Sequence, residues 1–88
     1  MQKNELKEIL RLHELWIDRD ESGKRANLTD ADLTNALLHG ADLAYADLTG
    51  ADLFDAVLSN ADLSNSYLTD ALLTGANLTG ADLTNAKF

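Results

Sequence analysis

The sequence has no cysteine and no proline among its 88 residues. Without cysteine, the chain has no disulfide framework, no thiolate zinc site and no cysteine nucleophile. No run of apolar residues is longer than four, which is far short of a membrane-spanning helix or the apolar part of a signal peptide. We therefore expect one small domain located in the cytoplasm.

Basic residues are scarce as well, because seven Lys and Arg residues face fifteen Asp and Glu residues and give a net charge of −8. Phosphate repels such a chain, which excludes direct binding to nucleic acid and disfavours anionic membranes. Residues 1–25 hold six acids and six bases, whereas residues 26–88 hold nine aspartates, one lysine and no glutamate. The whole net charge thus lies on the second segment.

A five-residue repeat fills this second segment. Leucine recurs at every fifth position from Leu28 to Leu83, Phe88 continues the series, and alanine stands two places before each, with Ser66 as the one substitute. The Ala-x-Leu unit places its first and third side chains on one side, as a short strand does. Gly, Asn or Asp ends every complete repeat except the one at Tyr45, and these residues tolerate the positive φ of tight turns. The pattern predicts a solenoid in which each repeat forms one side and one corner around a leucine core.

The repeats ADLTN, ADLTG and ANLTG occur verbatim, and over residues 26–88 the pattern resembles the A(D/N)LXX repeat of the pentapeptide repeat family. The resemblance implies an all-β solenoid, a right-handed quadrilateral β-helix with four repeats per coil. The twelve complete repeats of this sequence then form about three coils. We divide the chain into residues 1–25, a capping helix with a linker, and residues 26–88, the β-helix.

A solenoid exposes its apolar core at both ends and needs caps. Residues 4–18 are predicted to form an amphipathic helix with Asn4 as its N-cap. The apolar stripe of this helix consists of Leu6, Ile9, Leu10, His13, Trp16 and Ile17. We interpret the stripe as a cap over the first coil, and a partner-binding helix is the alternative. At the other end Phe88 is predicted to plug the last coil, in a monomer or in a weak dimer formed through this end.

Four repeats per coil place residues twenty apart on one face. The outward acids predicted to imitate DNA phosphates are Asp42, Asp62, Asp82, Asp32, Asp52, Asp55, Asp30, Asp47 and Asp70. Over three coils, about 14 Å long, they give one charge per about 1.6 Å, close to the value of about 1.7 Å for duplex DNA. The alternative is that these acids serve solubility alone. A neutral surface at Leu37, Val57 and Leu72 is the alternative interaction face.

Nothing in the sequence indicates catalysis, a metal or a cofactor. His13 and His39 have no further ligands at metal-binding spacing, and a convex rod offers no cleft that would shift a pKa. We predict a non-enzymatic DNA mimic that occludes the basic DNA-binding channel of a partner. By analogy with phage-encoded inhibitors, the expected partner is a bacterial defence complex, as for anti-CRISPR or anti-restriction proteins. The alternatives are protection or inhibition of a topoisomerase (gyrase), in line with the family resemblance, and a scaffold module that binds through the neutral surface.

Overall fold

Helix α1 (Lys3–Ile17) is the only α-helix of the computed structural model, which describes residues 1–88. It begins one residue earlier than predicted, and Asn4 is not its N-cap. Gln2 occupies that position in an extended conformation, and its carbonyl oxygen accepts a hydrogen bond from the Leu6 N–H at 3.0 Å. Because this bond starts the helical ladder, Asn4 falls inside the first turn.

One side of α1 lies against the start of the solenoid. Leu6, Ile9 and Leu10 are partly buried against the leucine core, and His13 is fully buried. Trp16 remains 37% exposed, and its ring stacks on that of His13 at a centroid distance of 5.6 Å. The predicted stripe therefore covers the core with its first half, whereas Trp16 covers His13 instead of the leucines.

The chain turns back sharply after α1. The Lys24 N–H donates a hydrogen bond to the Leu12 carbonyl oxygen at 2.9 Å. Gly23 lies so close to the backbone of Leu15 and Trp16 that a Cβ atom at this position would overlap both residues. Glycine is therefore required at this position. Its close packing on the backbone of α1 allows the chain to reach the first repeat at Ala26 within three residues.

From Ala26 onward the backbone winds in coils of twenty residues. The middle residue of each side pairs in parallel with the residue twenty positions later. The pairs are isolated bridges, because two corner residues follow every three-residue side and no side is long enough for a continuous strand. The bridges align in four columns: column 1 is Asn27, Asp47, Tyr67 and Lys87; column 2 is Asp32, Asp52 and Leu72; column 3 is Leu37, Val57 and Asn77; column 4 is Asp42, Asp62 and Asp82.

All twelve corner residues have a positive φ, from 56° at Asp55 to 73° at Gly75, as the sequence predicts for the eleven Gly, Asn and Asp residues among them. Across each corner the next backbone N–H donates to the preceding leucine carbonyl oxygen, as from Ala56 to Leu53 at 3.0 Å. Tyr45 adopts the same conformation at 66°, although positive φ is uncommon for a bulky side chain. These corners turn the chain every five residues and so define which side chains share a column.

The repeat leucines fill the axis of the solenoid. From Leu28 to Leu68 each of them is at most 2% exposed, whereas Leu73, Leu78 and Leu83 of the last coil are only partly buried. Phe88 is 69% exposed, so the prediction that it plugs the last coil is wrong. Its coil contains one side only, and no facing side holds the ring across the axis.

Candidate functional site

The outward aspartates of the columns share one local geometry. In each of them, Oδ1 accepts a hydrogen bond from the backbone N–H two residues further on, at 2.9–3.2 Å. The residues with this bond are Asp32, Asp42, Asp47, Asp52, Asp62 and Asp82. Asn27 and Asn77 form the same bond through their amide oxygens, at 3.2 and 3.0 Å. The bond therefore supports the adjoining corner whether or not the side chain is charged.

The hydrogen bonds also keep several of these carboxylates ionised. The hydroxyl and N–H groups of Thr34 lower the pKa of Asp32, and those of Thr84 lower the pKa of Asp82. The Thr84 hydroxyl donates to Oδ1 of Asp82 at 2.6 Å. Because donors of this kind stabilise the charged form, both side chains carry a negative charge throughout the neutral pH range.

Column 4 brings three of the predicted acids into one unbroken row. Asp62 is bridged to Asp42 on one side and to Asp82 on the other, and adjacent coils are spaced by about 4.8 Å. Asp42 and Asp62 are half-buried, and Asp82 is exposed. Three like charges at this spacing repel one another, so the row lowers stability while it concentrates negative potential on one face.

The other predicted acids are more dispersed. Asp32 and Asp52 are neighbours in column 2, and Asp47 lies between Asn27 and Tyr67 in column 1. The remaining three are exposed corner residues: Asp30, Asp55 and Asp70. The structure thus joins five of the nine acids with acidic neighbours in a column and leaves the other four without one.

Column 1 is flanked by Arg25 and ends at Lys87, two cations whose role the sequence reasoning missed. The centroid of the Tyr67 ring lies 5.1 Å from Cζ of Arg25 and 4.8 Å from Nζ of Lys87. Hydrogen bonds from Thr49 are the main cause of the lowered pKa of Asp47, and the charge of Arg25 adds to it. Column 1 is therefore partly neutralised, unlike column 4. The spacing of twenty residues between Tyr67 and Lys87 could have predicted that these two side chains are neighbours in one column.

The buried ring of His13 joins α1 to two points of the solenoid. Its Nδ1 accepts a hydrogen bond from the Ala26 N–H at 2.9 Å, so the ring proton resides on Nε2, which donates to the Ala44 carbonyl oxygen at 2.8 Å. Both ring nitrogens are thus occupied by backbone groups. A polar residue in the middle of an apolar stripe was the only signal of this role in the sequence.

The apolar residues predicted as an alternative face do not lie together. Leu37 and Val57 are neighbours in column 3, whereas Leu72 lies below Asp52 in column 2. Leu37 is 76% exposed and Leu72 is 58% exposed, and Val57 is half-buried. The prediction is wrong for Leu72, because a spacing of fifteen from Val57 moves it to another side of the coil.

The surface of the protein has three depressions, and all of them open to solvent. No three His, Asp or Glu side chains converge as metal ligands. Helix α1 lacks the length and the apolar character needed to cross a membrane.

Comparisons with known proteins concern the repeats. The sequence model of the family described as Pentapeptide repeats matches residues 24–60 and 51–88, with eight copies. Among solved structures, Rfr23, a pentapeptide repeat protein from the cyanobacterium Cyanothece 51142, is 40% identical with a TM-score of 0.68, over 70% of this chain and 43% of its own. A pentapeptide repeat protein from the thylakoid lumen of Arabidopsis thaliana is 42% identical with a TM-score of 0.67, over 68% of this chain and 41% of its own. No curated protein matches the sequence.

These likenesses confirm the predicted fold of the repeat segment, the right-handed quadrilateral β-helix. The chain spans less than half the length of either solved relative. The outward columns of this fold are the candidate functional surface.

Proposed function

The chain belongs to the pentapeptide repeat family, and we propose that it is a non-enzymatic binding protein whose aspartates imitate the phosphates of duplex DNA. In this proposal the acidic faces enter the basic channel of a DNA-binding protein and keep DNA out. Column 4 contributes most, because it is the one column in which every outward residue is an acid.

The observation that carries the proposal is that the outward charge exceeds what the fold requires. Asn27 and Asn77 support their corners with the same hydrogen bond that the six column aspartates form. Asparagine would thus serve the solenoid at every outward position and would remove the repulsion within column 4. Aspartate at all three outward positions of column 4 lowers stability, which argues that the charge serves a function other than folding.

The carboxylates of column 4 are also presented in a fixed arrangement. Backbone hydrogen bonds on both sides of each outward residue join the coils, as from the Asp62 N–H to Ala41 at 2.9 Å and from the Leu63 N–H to Asp82 at 2.8 Å. Oδ1 of Asp62 is held by the Ser64 N–H and hydroxyl at 2.9 and 2.6 Å, which leaves Oδ2 for a cation of the partner. Guanidinium and ammonium groups placed to bind phosphates also bind such a row.

Two finer features of the fold belong to the same proposal. The repeats form about three coils, and α1 serves as the cap of the first coil. The contacts of Leu6, Ile9 and Leu10 with the core, together with the two hydrogen bonds of His13, support the cap.

The proposed target is a bacterial defence complex, of the kind that anti-CRISPR or anti-restriction inhibitors block, in the cytoplasm. Three coils at about 4.8 Å each match the length of only a few base pairs of DNA, so the acidic columns would occupy a short stretch of such a channel. A topoisomerase such as gyrase is the alternative target. No membrane, cofactor or direct nucleic-acid contact is part of the proposal, and the molecule acts as a monomer or as a weak dimer near Phe88.

A second candidate function is a scaffold that binds partners through column 3. The observation that favours it is the exposure of Leu37, at 76%, on a column that contains no acid.

The proposal is tested with the immobilised protein in a bacterial lysate. Partners of a DNA mimic should elute with increasing salt, because exposed charges are screened, and duplex DNA should displace them. The Asp42→Asn, Asp62→Asn, Asp82→Asn triple variant keeps the corner hydrogen bonds and should lose about 1–3 kcal/mol of binding free energy. Its free energy of unfolding should stay close to that of the parent, because the repulsion removed within column 4 is offset by the loss of the charge-assisted hydrogen bonds of Asp82.

The matched control is Leu37→Asn, which removes the exposed leucine and leaves column 4 intact. If the triple variant retains full binding at physiological salt while Leu37→Asn loses it, the DNA mimic is refuted and the scaffold is supported.

A further inference from the structure

A groove runs between the first half of α1 and the first coil, away from column 4. Its volume is about 650 Å³, within the usual range for sites that bind small molecules or short segments. Leu6 and Leu10 of α1 form one wall, and Ala36 and Leu37 of the first coil form the other. The groove is therefore apolar along its floor and open at its rim.

The two rims of the groove carry different charges. Lys3 and Lys7 lie one helical turn apart on the α1 rim, and Asp32 lies on the opposite rim. The only ion pair of the protein joins Arg11 and Glu8 at 2.6 Å, so neither lysine has an acidic partner. An occupant with carboxylates along the α1 side would satisfy both ammonium groups.

Column 3 extends the apolar floor beyond the groove. Leu37 is bridged to Val57 and Val57 to Asn77, and the corners that follow these residues carry no acid, although Asp55 lies at the corner before Val57. Each of the other three faces holds aspartates, which repel an acidic segment. Column 3 is thus the one column without an outward acid, so a segment with carboxylates meets the least repulsion there, at the Leu37 end away from Asp55.

We propose that this groove binds an amphipathic α-helix of a partner protein, with apolar residues toward Leu6, Leu10 and Leu37 and acidic residues toward Lys3 and Lys7. A helix about 10 Å wide that inserts apolar residues one turn apart is a common occupant of such grooves. The two lysines fix its orientation, because they are ammonium groups without an acidic partner on the α1 rim, whereas Asp32 on the other rim lies beside the Met1 ammonium, which donates to the Asp32 carbonyl oxygen at 3.1 Å. The surface is separate from column 4, so the partner here is acidic whereas the partner of the aspartates is basic.

The test uses the full chain and a synthetic amphipathic helix of about five turns, with leucines on one side and glutamates along the flanks. Leu37→Asn should weaken its binding about tenfold, from the lost burial of one leucine. The Lys3→Gln, Lys7→Gln variant should weaken it about fivefold at low salt, from two exposed ion pairs. Binding is measured by fluorescence anisotropy, and its location by amide chemical shifts.

Leu72→Asn is the matched control, because it removes another exposed leucine from the same kind of position in column 2. It should leave peptide binding unchanged. A peptide with lysine in place of glutamate should bind weakly and should shift amides of column 4 instead.

The proposal is overturned if the acidic peptide does not bind, or if it binds Leu37→Asn and Leu72→Asn equally. Concentration-dependent self-association with shifts at Leu37 would also overturn it, because a second copy would then be the occupant. Loss of lysate binding in the column 4 variant, with peptide binding retained, separates this surface from the proposed DNA mimic.

Discussion

Replacement of His13 by alanine is expected to detach α1 from the solenoid. The His13 ring bonds to the Ala26 N–H and the Ala44 carbonyl oxygen at 2.9 and 2.8 Å. Ala26 and Ala44 are 2% and 7% exposed, so both backbone groups would lose their partner away from water. At about 1–3 kcal/mol for each buried unsatisfied group, the free energy of unfolding should fall by about 2–6 kcal/mol.

Urea denaturation measures this loss, and hydrogen exchange locates it. Amides of α1 should exchange faster in the variant, whereas the Leu58 amide in the middle of the core should keep its protection. Glu14→Ala removes an exposed neighbour on the same helix and should change stability by less than about 0.5 kcal/mol. An equal loss in the two variants, or a nitrogen NMR spectrum that places the neutral ring proton on Nδ1, would refute the reasoning.

Three further predictions concern the core, the linker and the carboxylates. Leu53→Ala should cost about 2–5 kcal/mol of unfolding free energy and Leu37→Asn almost none, in urea melts; equal losses would contradict the inward and outward assignment. Gly23→Ala should lower the free energy of unfolding by about 1–3 kcal/mol, because the added Cβ would overlap the α1 backbone. Gly40→Ala should lower it by about 1 kcal/mol, because of the positive φ alone. A larger loss for Gly40→Ala than for Gly23→Ala in thermal melts would contradict this reasoning. Hydrogen bonds from Thr34 and Thr84 lower the folded-state pKa of Asp32 and Asp82. The contribution of the two carboxylates to stability is therefore complete above the unfolded pKa of about 4 and is lost as the pH falls through the lower folded value. The double variant with Asn at both positions should lose less stability than the parent between pH 6 and pH 2.5, and an equal loss in urea melts would contradict this prediction.

The period of five predicted most of the solenoid, because each repeat forms its side and corner from local residues. Ala, Leu and the corner residue repeat with few exceptions, and the structure confirms the burial of the leucines from Leu28 to Leu68 and the positive φ of the corners. The acidic row Asp42, Asp62 and Asp82 followed from counting in steps of twenty, and the bridges confirm it. Leu72 was grouped with Leu37 and Val57, although the same count places it beside Asp52 in column 2.

Features at the two ends could not be read from the period. The hydrogen bonds of His13 depend on how a helix meets the first coil, and no repeat encodes that contact. The position of Phe88 depends on neighbouring sides of its own coil. The start of α1 was set by a backbone carbonyl, that of Gln2, which no side-chain preference reports. Apart from Leu72, each error lies where the chain leaves the repeat.

Outward residues align into a column only at a spacing of twenty, whereas inward alanines and leucines recur at every repeat of five residues. The arrangement of the surface therefore depends on the number of repeats, and the core does not. An added five-residue repeat between Asn65 and Ser66 would keep an alanine and a leucine at every inward position. It would nevertheless move each later outward residue by one side, so that Leu72 would follow Val57 and Asn77 would follow Asp62. Only an insertion of twenty residues restores the original columns. In a chain of this kind, the insertion or loss of a single repeat changes which outward residues share a column, without altering the packing of the leucine core.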